Sequence, residues 1–298
     1  MNVPLIVWLA LCLIWGSTWL FIKLGLRDLP PFTFAGLRFL LASAILWAIV
    51  IAWRRPLPKN GRDWLKLAWV GSISIALNFG LIFWGEQRIN SGLAAVLQAT
   101  IPAFGLIFAH YYLPNERLTA RKLVGAGVGV AGVGLIFYDQ MKVEGAGALQ
   151  GCAALLISSV CVAYSNVFIK ARLQHVDSSV ISAGQMVCGI FPLLALGVVF
   201  EGDPFAQRWT AQSAVALAYL ALIGSVLGFL LYFWLVTKIE VTKTMLISLV
   251  TPVTALLIGW VRLGEKLSWR VAAGSAAILA GIRLIVFQRQ GSKIENRR

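Results

Sequence analysis

Trp15 and Trp19 lie four residues apart, with Ser17 and Thr18 between them, in a stretch that carries no charge from Val3 to Ile22. Residues at this spacing share one face of a helix. Aromatic side chains interleaved with a few polar groups are what a flat, amphipathic ligand requires of a wall. The same residue types recur along the chain at Asn78, Phe79 and Phe83, at Gln98, at Tyr164 with Asn166, at Phe229 with Tyr232, and at Ser248. Asn78 and Gln98 sit deep in apolar segments, where an amide needs a partner or water. These twelve positions, Thr18 aside, are the expected substrate-binding set.

Other chemistry is poorly supplied. His110 and His175 have no HxxxH spacing and no carboxylate pair or Ser/His arrangement at shared depth. An intramembrane enzyme acting on lipid is therefore disfavoured, and the chain is read as a non-enzyme. Cys12, Cys152, Cys161 and Cys188 all lie in apolar stretches without CxxC spacing. We expect no disulfide, no metal site and no cofactor. Glu86, Glu116 and Glu265 fall at or beyond the ends of apolar segments, where capping or loop pairing is expected. The lack of a mid-depth carboxylate favours uncoupled exchange or uniport. Arg38 lies too deep for comfort in lipid and must face protein or a wet cavity. It is expected to clamp Asp28 or Glu86 near a cavity mouth, the alternative being a substrate carboxylate. Lys23 ends the first segment and reads as an anchor or gate-rim residue. Pro102 and Pro252 interrupt helical hydrogen bonding and read as kinks that could serve as hinges.

The elements that carry these residues follow from composition. Of 298 residues, 59% are hydrophobic and 13% charged, and the mean hydropathy is +0.81. Soluble domains hold about half apolar and about a quarter charged residues, so the chain is an integral membrane protein. A span needs about 20 mostly apolar residues. Ten segments qualify, near 3–24, 33–53, 65–84, 92–112, 122–138, 149–169, 179–200, 213–235, 242–262 and 268–288. The expected fold is all-α, with ten transmembrane helices and no soluble domain. With the N-terminus inside, inner segments hold 16 Lys and Arg and outer segments eight. The positive-inside rule then puts both termini in the cytoplasm. The net charge of +14 is thereby topology, and nucleic acid is not an expected partner. Trp8, Trp47, Trp53, Trp64, Trp69, Trp209, Trp260 and Trp269 fit interfacial belts.

The halves resemble each other. FIK at 21–23 recurs at 168–170, FW at 83–84 at 233–234, Pro102 at Pro252, and NERLT at 115–119 as GEKLS at 264–268. Gly125 and Gly132 match Gly274 and Gly281, and the offset stays between 147 and 150. We read residues 1–143 and 144–298 as two five-helix repeats. Five is odd, so the second is inverted. Inverted repeats characterise transporters that alternate access to a site at the repeat interface. The glycine-rich fifth and tenth spans should pack closely.

LIWGSTWLFIKLGL (13–26), PPFTFAGLRFLLA (31–43) and the paired P…(N/G)E(R/K)L(T/S)…G…AG pattern resemble the EamA-type family of the drug/metabolite transporter superfamily, over nearly the whole chain. Within it the chain is most similar to bacterial aromatic amino-acid exporters of the YddG-like group. The resemblance implies a ten-helix inverted-repeat exporter whose cavity is lined chiefly by spans 1, 3, 4, 6, 8 and 9. Arg283 departs from the pattern, with a snorkel to the inner surface as its only reading. The expected function is export of small metabolites, amino acids including aromatic ones, across a bacterial inner membrane. Partners are the lipid bilayer and a small-molecule substrate; oligomeric state is not legible. A multidrug exporter and a gated channel are the rivals. Trans-stimulation separates carrier from channel.

Overall fold

A computed structural model describes residues 3–89, 91–138, 145–203, 209–254 and 269–286. GEKLS with Glu265, Trp260, and the end of the expected ninth span lie outside them. Among the described residues there are helices and no strands. They are α1 (Val3–Gly25), α2 (Pro31–Ala52), α3 (Gly61–Glu86), α4 (Ser91–Gln98), α5 (Ile101–Tyr112), α6 (Ala120–Ile136), α7 (Gly145–Arg172), α8 (Ser178–Glu201), α9 (Ala211–Lys238), α10 (Val241–Thr254) and α11 (Trp269–Val286). Seven of these, namely α1, α2, α3, α7, α8, α9 and α11, are long and apolar enough to cross a membrane.

The fourth expected span is two helices. Between α4 and α5 the chain turns at Ala99 and Thr100. Pro102 then falls in the first turn of α5, where a missing N–H costs nothing. It starts a helix instead of kinking one.

Helix starts are capped with local chemistry. Asn60, Thr119, Asp177 and Thr210 each accept a backbone N–H from their first turn. α2 begins with Pro30–Pro31 and has no such cap. Glu201, the last residue of α8, supplies one from a distance. Its two carboxylate oxygens accept from the N–H groups of Phe32 and Thr33, both at 2.7 Å. Glu116 does the same for α10, accepting from Val241 and Thr242 N–H at 2.9 and 3.1 Å. A carboxylate at a helix N-terminus meets both the orphan donors and the helix dipole. For Glu116 the capping expectation describes the geometry. For Glu86 it does not, because its Oε1 is buried without a partner.

Lys170 is tied into the protein. Its ammonium donates to the carbonyls of Val236 and Ile239, at 2.9 Å for the second, and caps the C-terminal end of α9. Lys23 is exposed on the last turn of α1, and Arg283 is exposed on the last turn of α11.

α6 and α11 meet through glycine. A Cβ built at Gly274 would stand 2.5 Å from the Gly132 carbonyl oxygen, and one at Gly281 2.5 Å from that of Gly125. No side chain fits there, which lets the two backbones touch. α2 packs on α8, α7 on α3 and α5, and α1 on α9. Phe34, Phe39, Phe83 and Leu46 are fully buried in the main core.

α3 and α9 share one irregularity. Each contains a π-helical segment, Ser72–Leu77 in α3 and Leu220–Leu227 in α9. Such turns widen a helix and free backbone carbonyls, and they gather at functional sites. Ser74 of the first lines the central cavity, and Gly224 and Ser225 of the second hydrogen-bond to the wall residues Trp15 and Arg38.

Candidate functional site

The cavity measures about 160 Å³ and lies between α1, α2, α3, α7, α8, α9 and α10, with Gln98 of α4 and Ile101 of α5 on its wall. A hydrophobic cavity of roughly 150 Å³ takes a benzene ring, so the space suits a small organic molecule.

α1 presents Trp15, Trp19 and Ile22, an i, i+4, i+7 stripe, together with Thr18. Trp15 is fixed at its polar end. Its Nε1 donates to the Gly224 carbonyl at 3.1 Å, a carbonyl within the π-segment of α9. The Tyr232 ring lies 5.0 Å away and the Phe229 ring 6.1 Å. Phe79 stands 6.3 Å from Phe229 and 4.6 Å from Phe39. Trp15, Phe79, Phe229 and Tyr232 form an aromatic wall, with Phe39 packed on Phe79 and Phe229 outside the lining.

Asn78 and Gln98 reach the cavity, but much of their hydrogen-bonding capacity is already engaged. Gln98 Nε2 donates to Ser158 Oγ at 2.9 Å, and Ser158 donates on to Asn78 Oδ1 at 2.7 Å. Asn78 Nδ2 donates to the Ser74 carbonyl, and Ser159 Oγ donates to Gln98 Oε1 at 3.3 Å. This chain ties α3, α4 and α7 together beneath the cavity floor. Asn166, by contrast, faces the cavity without a hydrogen-bond partner among the described residues. Ser248 and Thr251 lie on α10 and bond back to their own helix.

Three expected residues lie elsewhere. Tyr164 sits in a cluster with Phe108, Tyr112 and Phe168, and its hydroxyl accepts from Trp69 Nε1 at 3.3 Å. Ser17 shares a 2.6 Å hydrogen bond with the Tyr219 hydroxyl, facing α9. The cause is helical geometry: residues two apart point about 200° from one another. If Asn166 and Trp15 face the cavity, then Tyr164 and Ser17 face away. Phe83 is fully buried against Phe34, ring centroids 5.6 Å apart. Among the gate residues, Lys23, Pro102 and Pro252 are off the cavity wall, whereas Arg38 is on it.

Arg38 is 3% exposed and pairs with neither Asp28 nor Glu86. Asp28 instead accepts from Thr210 Oγ1 at 2.5 Å. The Arg38 Nε donates to Ser225 Oγ at 2.8 Å, in the π-segment of α9. Its guanidinium carbon stands 5.0 Å from the Phe39 ring centroid and 5.2 Å from that of Phe79.

Several wall residues went unnoticed in the sequence, Ser74, Gln185, Thr244 and Thr251 among the polar ones. Gln185 on α8 is fully buried, and its Oε1 accepts from Ser74 Oγ at 2.8 Å in the π-segment of α3. It lies 147 positions after Arg38, within the range of offsets of the internal repeat. Aligning the halves at that offset would have found it.

A bundle of apolar spanning helices around a central, aromatic-walled cavity is the form of a multi-pass membrane transport protein. The EamA-like transporter family matches residues 3–138 and again 149–287, and the chain belongs to that family. The uncharacterized transporter YoaV of Bacillus subtilis is 30% identical over 96% of this chain and 97% of its own length. The uncharacterized inner membrane transporter YedA of Escherichia coli strain K12 is 31% identical over 87% of this chain and 82% of its own. A crystal structure at 19% identity superposes with a TM-score of 0.79, covering 96% of this chain and 97% of the other, which shows a shared fold.

Proposed function

We infer that this protein exports small organic metabolites, amino acids including aromatic ones, across the bacterial inner membrane. The observation that carries the reading is the cavity itself, a small chamber with an aromatic wall and a few polar side chains. The expected mechanism is alternating access by two inverted five-helix repeats, residues 1–143 and 144–298, with ten spans and both termini cytoplasmic. The two separate family matches, the paired π-segments and the reciprocal glycine contacts of α6 and α11 support this duplication. In that scheme the chain break before Pro102, and Pro252 at the repeat-related position, are the hinges. Lys23 belongs to the rim.

A panel of labelled amino acids in proteoliposomes, with and without a pH gradient, tests the reading. Saturable uptake with trans-stimulation by aromatic amino acids is expected. Transport of cationic dyes with no amino acid transported would overturn the substrate. Flux without trans-stimulation would replace the carrier with a channel.

A further inference from the structure

We propose that the cavity selects solutes bearing an anionic group, a carboxylate in the first instance, with Arg38 as the countercharge and Gln185 as a second donor. This rests on the cavity being the substrate site and narrows the class of substrate it takes.

The cavity wall carries unmatched groups. A guanidinium carries five N–H donors and no acceptor. Arg38 places one of them on Ser225 and is otherwise flanked by the Phe39 and Phe79 rings. No described acidic side chain pairs with it, and among the described residues no Asp or Glu lines the cavity. A buried charge is retained when something pairs it; here no described residue of the wall supplies a countercharge.

Gln185 provides an independent observation of the same sign. Its acceptor is taken by Ser74, while its Nε2 is buried on the cavity wall with no partner. Two other amide acceptors on the wall, Asn78 Oδ1 and Gln98 Oε1, already receive hydrogen bonds from Ser158 and Ser159, and Asn166 offers both an acceptor and a donor, so it leaves the balance unchanged. The empty cavity therefore has donors and positive charge to spare. A ligand that completes it brings acceptor oxygens and negative charge. An organic cation would meet the guanidinium with no compensating carboxylate. The aromatic wall of Trp15, Phe79, Phe229 and Tyr232 accommodates an apolar body attached to that head.

Three probes with one phenyl ring isolate the head group: 3-phenylpropionate, L-phenylalanine and phenethylamine. Binding to the purified full chain in detergent is read by thermal stabilisation and by the fluorescence of the cavity tryptophans. Both acids should bind and the amine should not. Arg38→Gln should weaken 3-phenylpropionate about ten-fold or more, the loss of a charge-assisted hydrogen bond. Gln185→Leu should weaken it several-fold. The proposal is overturned if phenethylamine binds as tightly as the acids, if neither acid binds, or if folded Arg38→Gln keeps the wild-type Kd. Should Arg38→Gln not fold, the wild-type comparison of acid with amine still decides. Acid binding without flux in proteoliposomes would sink the transport reading and leave the anion site standing. Flux of the amine alone would do the reverse.

Discussion

Two corners of the cavity are built alike. At one, Arg38 of α2 reaches Ser225 in the π-segment of α9. At the other, Ser74 in the π-segment of α3 reaches Gln185 of α8. The two long side chains occupy corresponding positions in the repeat, and each is buried. The chemistry differs: one corner is charged and the other neutral. In the proposed repeat architecture, symmetric positions thus carry an asymmetric site. The proposed duplication supplies two equivalent places for a donor, and in the proposed site the difference between them orients a solute with its negative end toward Arg38 of α2.

The comparison is open to attack, and the largest effect is expected at the charged corner. Arg38→Met removes an unpaired buried charge and its donors together. The unliganded protein should be at least as stable as wild type, because apolar replacement of buried charge is often neutral or favourable. Acid binding should nevertheless fall by about ten-fold or more, measured by titration of the melting temperature. A large loss of stability with binding intact would show that Arg38 is a structural clamp.

Next come the two serines. Ser225→Ala removes the acceptor of a charged donor and should destabilise by roughly 2 kcal/mol. Ser74→Ala removes a neutral pair at Gln185 and should cost roughly 1 kcal/mol. Chemical denaturation in detergent compares them. Equal costs would erase the distinction between the corners.

The smallest effect is expected outside the cavity. Tyr164→Phe deletes the hydroxyl that accepts from the exposed Trp69. It should change stability by less than about 0.5 kcal/mol and leave probe affinity unchanged. A several-fold loss of affinity would return Tyr164 to the binding wall.

Much of this was legible. Composition and apolar run length marked the membrane-spanning helices, because lipid admits few other solutions. The four-residue spacing of Trp15 and Trp19 marked a face of α1, and that face lines the cavity. The same rule, applied to Tyr164 and Asn166, would have excluded one of them, since two-residue spacing puts side chains on opposite sides of a helix. The π-segments were not legible. No residue type announces them. The Glu201 cap was hidden for a related reason: it joins residues 169 positions apart, beyond any local pattern. The unprotected Pro30–Pro31 start of α2 was the only trace of it.

The most direct test of the account is counterflow in proteoliposomes loaded with unlabelled L-phenylalanine, using labelled 3-phenylpropionate, L-phenylalanine and phenethylamine outside. The account predicts transient accumulation of both acids by wild type, none of the amine, and near-loss of 3-phenylpropionate accumulation in Arg38→Gln. Accumulation of phenethylamine with exclusion of both acids would contradict it.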